Sequence, residues 1–266
     1  IDFNFYQTDL FEHFPKGTPI FSADKIFEAP YEGYLHEGRA VGAGCLIGKD
    51  HIYNSLGNAL KQAGIACEID DIAYPTLPQE ITNNQFQETV LKDLNIKKPY
   101  AALVPVCAPT RPNKRWQPEK YAEIAKKLAA QGITPLIIGG PAEDEKELTQ
   151  KINHLSGDVS QPVHIGVKEI SAVLSGAELT LSNDTGMLHI SAASHKTPTF
   201  LVGDNWYISP ETWQPLQNNF QLISVPNTSV KDLSVHDVWS QLKVSEPEMN
   251  NTFKARQKRH GNITTP

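Results

Sequence analysis

From residue 99 to residue 243 the chain alternates short apolar runs with segments of helical period, and few architectures accept that pattern. Ala101–Val106 is a continuous apolar run, as a strand buried on both faces requires. Pro118–Gln131 follows, with Tyr121, Ile124, Ala125, Leu128 and Ala129 on one helical face, Pro118 in the first turn and Gly132 at the stop. Thr134–Ile138, Val163–Ile165, Glu178–Ser182, Thr199–Val202 and Phe220–Val225 read as further strands. Ala142–Ile152, Lys168–Ser175, Thr185–Ser194 and Ser234–Leu242 read as the intervening helices. Ser234 with Asp237 three residues on comes close to a capping box. Strands that alternate with helices predict an α/β domain with a parallel, doubly wound sheet.

The first 98 residues are less regular. Asp50–Ala63 is expected to be a helix, and Ile1–Tyr6 and Ile65–Glu68 strands, set among Gly- and Pro-rich stretches. At about 150 residues per domain, 266 residues allow two domains. The expected division is a partial N-terminal α/β domain at 1–74, a polar linker at 75–98, the Rossmann-like domain at 99–243 and a basic tail at 244–266. The chain opens on Ile-Asp-Phe-Asn-Phe, which reads as the middle of a strand, so the N-terminal domain is expected to be incomplete.

Several function classes drop out. No run approaches the roughly 20 apolar residues of a spanning helix. Three scattered cysteines (Cys45, Cys67, Cys107) with no Cys-x-x-Cys pair fit neither a disulfide framework nor a zinc site, and agree with a cytoplasmic setting. Residues 1–98 hold 8 Lys/Arg against 14 Asp/Glu, and the remainder is neutral, so no basic stripe offers itself to nucleic acid.

In a doubly wound sheet ligands meet the carboxyl ends of strands, and three of these ends are unusual. After Ala101–Val106, residues 110–118 hold Thr110 and three cations, Arg111, Lys114 and Arg115, before a helix start. Such a loop can meet a diphosphate; a solvated loop in which Trp116 staples the helix is the alternative. After Thr134–Ile138 comes Gly139-Gly140-Pro141-Ala142-Glu143, where two glycines would let a ligand approach the backbone and Glu143 could accept from ribose hydroxyls. A plain turn would look the same. The third is Ser182-Asn183-Asp184-Thr185-Gly186-Met187-Leu188-His189. A capped helix needs one such polar residue, not four, and Gly186 in the first turn costs helix stability. His189, one turn beyond Thr185, reads as a core histidine or as part of a sugar-and-phosphate cradle with Asp184, Thr185 and Gly186.

Lys-Arg-Trp-x-Pro, Gly-Gly-x-x-Glu and Asn-Asp-Thr-Gly-x-x-His, in this order and spacing, resemble glycosyltransferase family 9, the ADP-heptose heptosyltransferases of lipopolysaccharide core assembly. Gly203 and Trp213-x-Pro215 fit as well. The resemblance covers roughly residues 99–243, with a weaker echo near 50–65. It implies a GT-B fold of two Rossmann-like domains and an inverting transfer from an ADP-sugar, which is substrate rather than cofactor, to a lipopolysaccharide-core or related glycan. By the motif match Thr110 and Lys114 would contact the donor diphosphate, with Arg111 beside them. Glu143 would hold the ribose, residues 164–167 would line the adenine, and Asp184, Thr185 and Gly186 would meet sugar and phosphates, supported by His189.

The sequence contains no Asp-x-Asp for a divalent metal, so Lys114 and its neighbours are expected to neutralise the leaving group. Lys114 and Asp184 are the expected catalytic pair. The family places its general base in an N-terminal glycine loop that has no counterpart here, so no base is assigned. The expected partners are a nucleotide-sugar donor and a glycan or glycolipid acceptor. A monomer with peripheral contact at the cytoplasmic face of the inner membrane is expected. The acidic N-terminal portion departs from what an anionic acceptor would favour. Two other readings remain: a non-catalytic nucleotide-sugar-binding module, and a UDP-sugar GT-B enzyme such as an epimerase.

Overall fold

A computed structural model describes residues 75–107, 114–203 and 214–242. The chain divides into two compact units, Ile1–Tyr74 with Ile208–Gln214 and Pro75–Tyr207 with Pro215–Pro266; all described residues but Gln214 belong to the second. The elements expected at Ile1–Tyr6, Asp50–Ala63 and Ile65–Glu68 and the basic tail lie outside the described residues, as do Thr110 and Arg111.

The described unit is built on β1 (Tyr100–Val104), β2 (Thr134–Gly139), β3 (Gln161–His164), β4 (Thr180–Ser182), β5 (Thr199–Val202) and β6 (Phe220–Ile223). All neighbouring pairs are parallel, in the order β3-β2-β1-β4-β5-β6. Helices α1 (Gln79–Thr82), α2 (Asn84–Asp93), α3 (Pro118–Ala130), α4 (Glu143–Leu155), α5 (Val167–Ser175), α6 (Gly186–Ala192) and α7 (Val235–Gln241) surround it, with a 3-10 turn at Val230–Asp232. The expected strand and helix order is therefore present from β1 to α7.

Every residue of β1 is buried, because helices cover both faces of the sheet. Ala101 and Leu103 join one core with Tyr121, Ile124, Ala125 and Leu128 of α3, Ile152 of α4, and Val238 of α7. Tyr100, Ala102 and Val104 point the other way, against Val90 and Leu91 of α2 and Ile170, Val173 and Leu174 of α5. That alternation within an unbroken apolar run is what a central parallel strand needs. Gly132, at φ +78, ends α3 in a left-handed conformation that costs glycine nothing. At the start of α7 the Ser234–Asp237 capping box is complete.

Residues 75–98 require a correction. The expected linker contains α1 and α2, and Val90, Leu91 and Ile96 are buried in the core. The helix is hard to read because its contacts are partly polar. Gln87 donates from Nε2 to Ser175 Oγ at 2.7 Å, and only two of its ten residues are buried. Asn83, whose side chain accepts from the Phe86 amide at 2.7 Å, was the available start signal.

Candidate active site

The strand order reverses between β1 and β4, whose ends lie in register at Val104 and Ser182. Chains leaving two such strands run to opposite faces and leave a crevice at the carboxyl end of the sheet. Lys114 lies on the chain leaving β1 and Asp184 on the chain leaving β4. Seventy residues apart in sequence, they form an ion pair there, Lys114 Nζ donating to Asp184 Oδ2. Their side chains are 36% and 19% exposed, so the pair faces solvent on one side.

Asn183 holds the two chains together. It is fully buried, and its backbone N–H donates to the Val104 carbonyl at 3.1 Å. Its Nδ2 donates to Pro105 O at 2.6 Å, while its Oδ1 accepts from Trp116 N at 3.2 Å and Tyr121 OH at 3.0 Å. Burial holds the Tyr121 phenol well above its usual range, so it stays an O–H donor. Trp116 is itself buried, edge-on to Tyr121, with Nε1 donating to Leu233 O at 2.9 Å. Arg115 turns back to donate to Cys107 O at 3.0 Å. Burial pushes the Cys107 thiol up, against the pull of the Arg115 guanidinium, so this cysteine stays a neutral thiol. Sequence reasoning saw Asn183 only as a cap residue and Trp116 as a staple; both are central to the loop.

The third motif opens a helix without a side-chain cap. Thr185 is the N-cap of α6, but its side chain makes no capping hydrogen bond. Gly186 opens the helix without a positive φ, and a Cβ built there meets nothing within 4 Å. Neither backbone strain nor packing among the described residues demands glycine at this position. His189 is half-buried one turn on. Gly186→Ala is expected to leave fold stability unchanged or raise it by up to about 1 kcal/mol, while weakening binding of any ligand that occupies that space. Urea denaturation read beside a ligand titration separates the two effects.

At the tip of β2 the two glycines sit against the protein's own side chains. A Cβ on Gly139 would stand 2.8 Å from His164 Cε1 and 2.9 Å from Thr149 Cγ2. Gly140 is covered by the Glu145 carboxylate, which accepts from its N–H at 2.6 Å. Both glycines therefore make room for the protein's own side chains. His164 Nδ1 donates to Gly140 O at 3.0 Å, with Nε2 2.9 Å from Thr149 Oγ1. Glu143 begins α4, is 77% exposed and pairs with Lys146 at 3.2 Å. The structure thus joins Lys114 directly to Asp184 and puts Glu143 at the adjacent strand's tip. Among the described residues no group of three or more His, Cys, Asp or Glu could hold a metal ion.

The family model for glycosyltransferase family 9 (heptosyltransferase) matches residues 59–243, more than half the chain. The chain belongs to glycosyltransferase family 9. Among curated relatives it is similar to the lipopolysaccharide core heptosyltransferase OpsX of Haemophilus influenzae, 31% identical over 127 residues, covering 46% of this chain and 35% of that one. It is also similar to lipopolysaccharide heptosyltransferase 2 of Escherichia coli, 25% identical over 179 residues, covering 60% and 47%. Each match spans less than half of the relative's length.

Among solved structures, E. coli ADP-heptose lps heptosyltransferase II superposes with a TM-score of 0.55 at 17% identity, covering 73% of this chain and 59% of that one. A family 9 glycosyl transferase from Veillonella parvula gives 0.58 at 14% identity, covering 72% and 58%. These likenesses agree with the parallel sheet in assigning the family 9 chain to the GT-B glycosyltransferase fold. No helix among the described residues is long and apolar enough to cross a membrane.

Proposed function

We propose that the family 9 chain carries the donor side of an inverting heptosyltransferase-like enzyme. It would move a heptose-like sugar from an ADP-sugar to a lipopolysaccharide-core or related glycan, as a monomer in the cytoplasm at the inner face of the membrane. The observation that carries this reading is the meeting of Lys114 and Asp184 at the crevice between β1 and β4. A solved E. coli heptosyltransferase with ADP-2-deoxy-2-fluoro heptose, which superposes with a TM-score of 0.50, supports the choice of nucleotide.

In the transfer, the acceptor hydroxyl attacks the anomeric carbon while the bond to the diphosphate oxygen breaks. ADP leaves with the bonding electrons, the hydroxyl proton passes to a carboxylate, and the configuration inverts. The developing charge on the leaving oxygen is what the described residues can address. Lys114 brings an ammonium to that point, with Arg111 and Thr110 three and four residues before it in the sequence, and the transfer needs no metal in this reading. A lysine aimed at a developing oxyanion is worth more than a helix terminus, which contributes on the order of 0.3–2 kcal/mol. Asp184 keeps the ammonium in place before the donor arrives, then meets the sugar hydroxyls with Thr185 and Gly186, on the loop that His189 supports. Glu143 holds the ribose after releasing Lys146. Val167, 69% exposed at the tip beyond β3, offers the adenine an apolar face beside the backbone of residues 164–167.

A thermal-shift panel of ADP-, UDP- and GDP-sugars tests the reading. Selective stabilisation by an ADP-sugar is expected, reaching about 2.7 kcal/mol at a hundredfold excess over the dissociation constant. Equal indifference to all three would exclude a nucleotide-sugar site, and preference for the UDP-sugar would reassign it.

A further inference from the structure

The geometry points to Asn183 as the positioning residue that sets Lys114 and Asp184 in one frame, an inference that rests on the donor-site reading of Lys114. To continue the β1–β4 ladder, only its backbone N–H is needed, and that already donates to Val104 O. The side chain spends its hydrogen bonds elsewhere. Nδ2 ties the residue after Val104, and Oδ1 ties Trp116, two residues beyond Lys114. The same residue is covalently joined to Asp184. One buried amide therefore fixes the chain that leaves β4 against both ends of the loop that leaves β1.

Further ties hold the loop's far end. Trp116 Nε1 donates to Leu233 O, Lys120 Nζ donates to Lys231 O and Leu233 O, and Arg115 to Cys107 O. None of these bonds involves the chain leaving β4, so they cannot set the spacing between Lys114 and Asp184. Asn183 can. Its amide orientation is unambiguous, because carbonyl Pro105 O only accepts and Trp116 N only donates. A buried amide held through both its oxygen and its nitrogen has one stable orientation, and it gives the flexible lysine stem a fixed root.

The test is a double-mutant cycle on the full chain, with ADP as the probe. Binding is measured by calorimetry at a low temperature where circular dichroism shows each variant folded. Asn183→Ala is expected to weaken ADP binding by about tenfold in the wild-type background and to have no further effect in Lys114→Ala, as coupled neighbours behave. A tenfold loss that persists in the Lys114→Ala background, or an unchanged affinity in the single variant, overturns the positioning role. If Lys114→Ala itself leaves ADP binding intact, it is the donor-site reading that fails. Should Asn183→Ala not fold, Tyr121→Phe removes one of the two donors to Oδ1 without touching the crevice. A fall of about threefold that vanishes with Lys114→Ala supports the role; an unchanged affinity overturns it.

Discussion

Lys114→Ala is expected to lower sugar transfer by about a hundredfold or more, the usual cost of removing one donor aimed at a developing oxyanion, with little change in melting temperature. The two effects separate because they draw on different interactions. In the free protein Lys114 is paired with Asp184 at a site open to water, its side chain 36% exposed. Pairs of that kind contribute about 0–1 kcal/mol to stability. That corresponds to a shift of roughly 2–4 °C at most for a chain of this size. In the proposed transition state the same ammonium would face the charge of a departing diphosphate. Steady-state kinetics beside a thermal melt check both halves. Full activity in the variant would remove Lys114 from the mechanism.

Trp116→Ala is expected to have the opposite signature, a loss of about 3–5 kcal/mol in folding stability. The indole is buried against Tyr121 at a centroid distance of 5.1 Å and donates to Leu233 O. Its removal opens a cavity where α3 begins and frees the turn that precedes α7. Trp116→Phe keeps most of the apolar area and loses only the indole N–H. The Leu233 carbonyl retains Lys120 Nζ at 2.7 Å, so the milder change costs about 1 kcal/mol. Urea denaturation midpoints for the two variants should differ accordingly; equal midpoints would mean that Trp116 is no anchor.

Much of this fold is legible in the sequence wherever an element's face is uniformly apolar. The apolar run Ala101–Val106 reads as a strand covered on both sides, and the strand is Tyr100–Val104; the Tyr121–Ile124–Ala125–Leu128 spacing reads as a helix face, and those residues are buried on α3. The helix Asn84–Asp93 escaped because it docks through Gln87 as well as through Val90 and Leu91, so its polar residues read as exposed. The site divides in the same way. Lys114 and Asp184 stood out as charged residues at strand ends, and the sheet brings them together. Asn183 did not, because a buried asparagine has the same spelling as a helix cap, and its worth lies in partners 67 and 78 residues away. The glycine pair after β2 could be read as a plain turn or as room for a ligand, because the sequence does not show that His164 and Glu145 lie against it.

A crystal structure of the full chain with ADP bound bears most directly on the crevice between β1 and β4. Diphosphate oxygens at about 3 Å from Lys114 Nζ are expected, with the Asp184 carboxylate drawn away from the lysine to make room. ADP seated elsewhere on the chain, with Lys114 still held by Asp184 alone, would contradict a donor site at the point where the strand order reverses.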